Sequence, residues 1–293
     1  MTDTQNNENI IEPSAARLIE SLRDTGYTFN TSVADIIDNS VSASANQIDI
    51  ILDLDFGNNP YLMIADNGTG MDGSELESAM MYGSPLRPNP KSLGKFGMGL
   101  KTASTSFCRK LTVISCKDGK HSIRQWDLDK IAELNKWILL EPSIEDYEDQ
   151  VAFLSQIRKD GNGTIVIWEN IDRLVRSNNN GTAKKQLEKI INELRNHLSG
   201  VFFNFLNNQK DFEPISIKVN KESLIPWDPF CRWLNENEEK RVEIHKNKPF
   251  QITETIHGKD ELIGEFHVNI YILPTKRELT QEEEERSRYS LDN

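Results

Sequence analysis

Four short segments of this 293-residue chain carry residue types whose spacing can do chemistry. In Asp35-Ile36-Ile37-Asp38-Asn39, positions 35 and 39 lie four apart, so on a helix both project from one face. A carboxylate there can polarise a water, and the Asn39 amide oxygen can complete the octahedron of a Mg²⁺ held mainly by phosphates and waters. Asp66 ends an apolar run, where it can accept a hydrogen bond from an exocyclic amine such as adenine N6. After it, Gly68 and Gly70 let backbone approach a flat ring, and Met71 adds adaptable apolar contact. In Gly94-Lys95-Phe96-Gly97-Met98-Gly99-Leu100-Lys101, glycines ahead of a helix expose amides that can cradle phosphates. The run is neither a Walker A sequence nor a dinucleotide fingerprint. Thr164, in Gly161-Asn162-Gly163-Thr164, can support Asp66 through its hydroxyl or a bridging water. Each segment alone also has a plain reading: a solvated helix face, an Asp-Asn-Gly turn, a loop before a helix, a β-branched residue opening a strand.

The elements that must position these groups are legible in outline. Ser14 can cap a helix in which Leu18, Ile19 and Leu22 share a face, and Gly26-Tyr27 breaks it. A second helix is expected over 31–45, carrying Asp35 and Asn39. Ile48, Ile50, Leu52 and Leu54 alternate with polar residues as in a half-buried strand. After a Gly-Asn-Asn-Pro turn, 61–65 form the strand that ends at Asp66. Helices are expected over 74–82, from Gly99 through Phe107, and over 183–199, with strands at 110–116, 121–127 and 163–168. Helices and strands do not alternate regularly, which points to an α+β sandwich rather than a doubly wound sheet.

Composition shifts after about residue 207, where Ile215 to Asn220 reads as a fresh strand, with more near 250–256 and 263–273. That predicts three parts: a mobile segment 1–12, a main domain 13–206, and the opening of a β-rich domain over 207–293. The segment 280–289 reads as an exposed charged helix, and the chain is expected to be a piece of a longer protein.

The bulk numbers exclude some classes. A net charge of −12 argues against nonspecific nucleic-acid binding by this segment, which needs clustered Lys and Arg. No apolar run approaches the roughly 20 residues of a membrane span, and the N-terminus lacks a signal-peptide pattern. Three scattered cysteines fit packed thiols in a reducing, cytoplasmic setting better than disulfides or a metal site.

Taken together, in this order, the four segments resemble the N box, the two glycine boxes and the terminal threonine box of the GHKL ATPases (gyrase, Hsp90-like, histidine kinase and MutL proteins). The resemblance covers roughly residues 13–206 and is closest to the MORC-like and bacterial Hsp90-like branch. The 94–101 segment is similar to that branch's third motif, and Leu194-Arg195-Asn196-His197-Leu198-Ser199 resembles the helix ending its ATPase domain. Ile217 to Asn220, continuing to Pro226-Trp227-Asp228-Pro229-Phe230, resembles the start of its transducer-like domain.

The resemblance implies a Bergerat-type α/β sandwich that binds ATP and ADP with Mg²⁺. Asp66 would bind adenine, Asn39 the metal, and 94–101 the phosphates, with 83–96 a lid. Lys101 would contact phosphate or form a helix-facing salt bridge. It implies an ATP-dependent homodimer, with DNA or other proteins engaged through regions beyond this chain and no membrane. The family's general base is Glu; here position 35 is Asp, one methylene shorter, which implies slow turnover. A nucleotide-binding regulatory or scaffold module without turnover is the alternative. A histidine kinase fits poorly, since too little chain precedes Asp35 for a phospho-acceptor helix pair. His197 is expected to serve packing or an interdomain role rather than catalysis.

Overall fold

The computed structural model describes residues 13–82, 99–158, 160–175, 180–207, 213–235, 242–246, 249–256 and 259–288. The expected mobile segment 1–12 and the lid 83–96 lie outside the described residues, as do Gly94, Lys95, Phe96, Gly97 and Met98.

Side-chain caps start the first two helices, the second two residues ahead of the expected 31. Ser14 accepts the Arg17 amide and opens α1 (Ala15–Leu22). Thr28 and Thr31 form a reciprocal capping box that opens α2 (Phe29–Ser42). One face of α2, with Val33, Ile36, Ile37 and Ser40, is buried, while Asp35, Asp38 and Asn39 stay half-buried along the adjoining edge.

The antiparallel hairpin of β1 (Gln47–Leu54) and β2 (Pro60–Asp66) follows. Its turn is organised by the Asp55 carboxylate, which accepts the amides of Gly57 and Asn59, each at 2.8 Å. Next come α3 (Gly73–Met80), capped by Asp72, then α4 (Gly99–Thr105), β3 (Cys108–Lys117) and β4 (Lys120–Asp127). The chain continues through α5 (Leu128–Leu134), α6 (Glu148–Ile157), β5 (Gly163–Ile171), α7 (Asn180–Val201) and α8 (Phe203–Leu206). Two short strands, β6 (Ser216–Val219) and β7 (Glu222–Ser223), close this part.

The seven strands form one sheet in the order β4-β3-β5-β2-β1-β6-β7. Every pairing is antiparallel except β1 with β6. One face buries Ile48, Ile50, Leu52, Ile64, Val113 and Trp168 against α1, α2 and α7. The other buries Ile114, Cys116, Ile165 and Ile167 against Leu154 and Ile157 of α6. This second cover explains the patterns: β1 alternates, whereas β3 and β5 are buried almost throughout. The architecture is the expected α+β sandwich, with α6 added on the second face.

Contacts divide the chain after Pro226. The composition shift near 207 does not coincide with that break, because β6 pairs with β1 and extends the first sheet. The second unit pairs β8 (Glu243–Lys246) with β11 (Asn269–Ile272), and β9 (Phe250–Ile256) with β10 (Lys259–Phe266), and holds the short helix α9 (Gln281–Ser287). Its small core gathers Cys231, Leu234 and Val242, and the Arg286 guanidinium lies 4.1 Å from the Trp233 ring centre. Among the described residues no helix is long and apolar enough to cross a membrane.

Candidate functional site

The site gathers where the edge of α2, the end of β2, the start of β5 and the first turn of α4 meet. Its most buried carboxylate is Asp66, 5% exposed, at the last position of β2. Oδ1 accepts the Gly68 amide at 2.9 Å and Oδ2 accepts the Ser40 hydroxyl at 2.8 Å, while the Thr164 backbone amide adds a third bond. Burial pushes the Asp66 carboxyl up from the ordinary aspartate value, against the lowering pull of these three donors. Each carboxylate oxygen retains lone-pair capacity beyond the bonds it already accepts, so a further donor such as an aromatic amine fits the group.

The turn after Asp66 is shaped by close approach. A Cβ at Gly68 would stand 2.8 Å from the Ala43 carbonyl oxygen, and one at Gly70 only 2.0 Å from the Cys116 carbonyl oxygen. Gly70 also has φ +66°, a left-handed backbone. Thr69 N–H donates to Ala43 O at 3.0 Å, which fastens the turn to the end of α2. Met71 N–H donates to Ser115 Oγ at 2.8 Å, and Met71 packs against the main core. Thr164 pairs in register with Asp66 on one side and Ser115 on the other. Its Oγ1 lies 2.8 Å from Ser115 Oγ, so its hydroxyl serves Ser115 and its backbone serves Asp66.

Along α2, Asn39 Nδ2 donates to the Asp35 backbone carbonyl at 2.8 Å. That anchors the amide nitrogen and leaves Oδ1, the atom type suited to Mg²⁺, without a donor among the described residues. Asp35 Oδ2 accepts the Tyr27 hydroxyl at 2.8 Å and would lie 3.7 Å from a Cβ at Gly99. Asp35 therefore faces the point where the glycine-rich segment runs into α4. Asp38 is half-buried on the same helix, and burial together with the Asp35 charge pushes its carboxyl up.

Of the expected phosphate segment, Gly99, Leu100 and Lys101 are described. Gly99 begins α4, and Leu100 packs against the main core. Lys101 is 1% exposed, and its ammonium donates to the Ala79 carbonyl at 2.8 Å, 5.9 Å from the Tyr82 ring centre. A cation there complements the orphan carbonyls at the C-terminal end of α3. His197 is half-buried on α7, and burial lowers its pKa.

The sequence reading missed Tyr27, Ser40 and Ser115. Ser40 carries a signal in hindsight, since it follows Asn39 by one residue on a helix face that turns inward. Ser115 has none, because a serine within an apolar strand reads as ordinary.

The sequence pattern of the family described as histidine kinase-, DNA gyrase B-, and HSP90-like ATPase matches residues 27–164, a span that runs from Tyr27 to Thr164. The chain is 32% identical to ATPase morc-1 of Caenorhabditis elegans over 89 residues, 30% of this chain and 10% of that protein. It is 31% identical to ATPase MORC2B of Mus musculus over 96 residues, 29% of this chain and 9% of that one. Against ATPase MORC2 of Homo sapiens it is 30% identical over 91 residues, 30% of this chain and 9% of that protein. The matches thus span about a tenth of these relatives' length. Over residues 27–164 the chain is thus similar to the histidine kinase-, DNA gyrase B-, and HSP90-like ATPase family.

Proposed function

We propose that the domain binds ATP with Mg²⁺ and hydrolyses it slowly, and that nucleotide binding acts as a conformational switch. The observation that carries this is the buried Asp66 carboxylate, held by Ser40 and Gly68 beside a glycine turn that no side chain can fill. In this reading Asp66 accepts the adenine amine, and Gly68, Gly70 and Met71 line the ring. Asn39 Oδ1 joins the metal, which would neutralise charge on the phosphates when bound. Asp35 takes a proton from the attacking water. The segment 94–101 supplies backbone amides to the phosphates, and 83–96 closes as a lid. Two copies then pair through their N-terminal segments, and hydrolysis resets them. Regions beyond this chain would direct the switch to DNA handling or defence, in a cytoplasmic setting.

A second reading, a nucleotide-binding regulatory or scaffold module, is favoured by one feature. Asp35 is a methylene shorter than glutamate, a displacement of roughly 1 Å that can cost about a hundredfold in rate.

Steady-state ATP hydrolysis and nucleotide affinity, measured for wild type, Asp35→Ala and Asp66→Asn, separate the two. Asp66→Asn is expected to weaken binding about ten- to a hundredfold. Asp35→Ala is expected to abolish turnover with affinity retained. Tight binding without turnover in any form would establish the regulatory reading, and absence of ATP binding would sink both.

A further inference from the structure

Among the described residues, the Asp35 carboxylate is held at one oxygen only. Tyr27, in the connection between α1 and α2, donates its hydroxyl to Oδ2 at 2.8 Å. Thr102, in the first turns of α4, acts on the same phenol and lowers its pKa against the larger raising causes. Oδ2 also lies against Gly99, where a Cβ would come within 3.7 Å. Among the described residues no donor reaches Oδ1. One phenol therefore links the carboxylate of α2 to the helix that follows the glycine-rich segment.

We propose that Tyr27 is the positioning residue for Asp35: its hydroxyl fixes Oδ2 beside α4, and Oδ1 is thereby the oxygen presented to water. The proposal rests on the reading of Asp35 as the general base. An aspartate has two side-chain torsions and swings freely unless a partner fixes its plane. A bond at one oxygen fixes that plane and leaves the other oxygen's lone pairs for a proton. Tyr27 suits this task and not that of the base. Burial, then its bond to Asp35 and the Asp35 charge, raise its pKa, so the phenol keeps its proton and remains a donor near neutral pH.

The test is Tyr27→Phe, which removes one oxygen and keeps the ring packed against the core. Steady-state kcat and KM for ATP are measured with Tyr27→Phe in the wild-type and Asp35→Ala backgrounds, with melting temperatures as a folding control. Thr102→Val serves as a second variant that leaves Tyr27 intact. The expected result is a kcat lowered about tenfold in Tyr27→Phe, the scale of one hydrogen bond to a charged group, with KM within twofold. Thr102→Val is expected to give a smaller fall in kcat, and Tyr27→Phe to add nothing once Asp35 is alanine. An unchanged kcat in Tyr27→Phe beside a collapse in Asp35→Ala overturns the positioning role and leaves the base assignment standing. Equal losses from Tyr27→Phe in both backgrounds overturn it too, since the phenol would then act without Asp35. If Asp35→Ala turns over normally, the base assignment itself fails, and Tyr27 with it.

Discussion

Ser115 Oγ lies 2.8 Å from Thr164 Oγ1 across the β3–β5 pair, and the same oxygen accepts the Met71 amide. A single hydroxyl thus joins two central strands to the turn that follows Asp66. In Ser115→Ala the Met71 N–H loses its acceptor in a half-buried setting, which costs about 1–3 kcal/mol. The turn should also loosen, so nucleotide affinity should fall by a few-fold to tenfold. Calorimetric titration and thermal melting check both effects. A variant with wild-type affinity and stability would show that a water replaces Ser115 at no cost.

Gly70 and Gly73 form a paired test of the same turn. A Cβ at Gly70 would collide with the Cys116 carbonyl oxygen at 2.0 Å on a left-handed backbone, whereas one at Gly73 meets Ser122 Oγ at an ordinary 3.6 Å. Overpacking and the left-handed penalty together make Gly70→Ala cost about 2–4 kcal/mol, with nucleotide binding lost. Gly73→Ala, at the first residue of α3, should be neutral or stabilise by up to about 1 kcal/mol. Urea melts of both variants decide the matter. Equal stabilities would mean that the turn relaxes away from β3.

Much of this architecture is legible in the chain because it follows from local pattern. The alternation Ile48, Ile50, Leu52 declares β1, the Ser14 cap declares α1, and the spacing of Asp35 and Asn39 places both on one helix edge. What stays hidden depends on contacts distant in sequence. The parallel docking of β6 on β1 joins residues 216–219 to 47–50, and no local signal marks that edge as unfinished. Helix α6 is short, and nothing local shows that its Leu154 and Ile157 pack on the second sheet face. Lys101 illustrates a chemical limit: a lysine beside glycines reads as a phosphate ligand or a surface ion pair. The bond its ammonium makes to the Ala79 carbonyl appears only once α3 and α4 are packed.

Asp66 should carry a stability cost that its function requires. Its folded pKa is raised by burial, so the folded state binds a proton more readily than the unfolded chain does. The associated stability is fully present below the unfolded value near 3.8 and is lost as pH rises through the folded value. Asp66→Asn removes the titration. Its Oδ1 can still accept the Gly68 amide, and its Nδ2 can donate to a reoriented Ser40 hydroxyl. The variant should melt above wild type at pH 7, with the gap closing as pH is lowered toward 4, while nucleotide affinity drops. Thermal melts across that range provide the check. A lower melting point at pH 7 would mean that the bonds from Gly68, Ser40 and Thr164 outweigh desolvation.

Arg23 and Asp172 should respond unequally to truncation, because they are buried unequally. The Arg23 side chain is 2% exposed and its partner 38%. Both Nη atoms of Arg23 reach the Asp172 carboxylate, and Nε donates to the Thr105 carbonyl at 2.9 Å, tying α1 to the end of α4. Asp172→Ala leaves a guanidinium enclosed, with Glu20 at 3.6 Å as its remaining carboxylate, and breaking a buried pair in this way costs about 3–5 kcal/mol. Arg23→Met instead leaves a carboxylate that water can reach and that Arg109 approaches to 3.7 Å, while the thioether chain fills the vacated space. Its loss should stay near 1–2 kcal/mol, mostly from the unsatisfied Thr105 carbonyl. Denaturant midpoints for the two single variants and the double variant measure the asymmetry. In the double variant the cost should fall below that of Asp172→Ala alone, since no enclosed charge remains. A larger loss in Arg23→Met than in Asp172→Ala would show that Arg23 acts chiefly through Thr105, as a link between α1 and α4, rather than through its carboxylate.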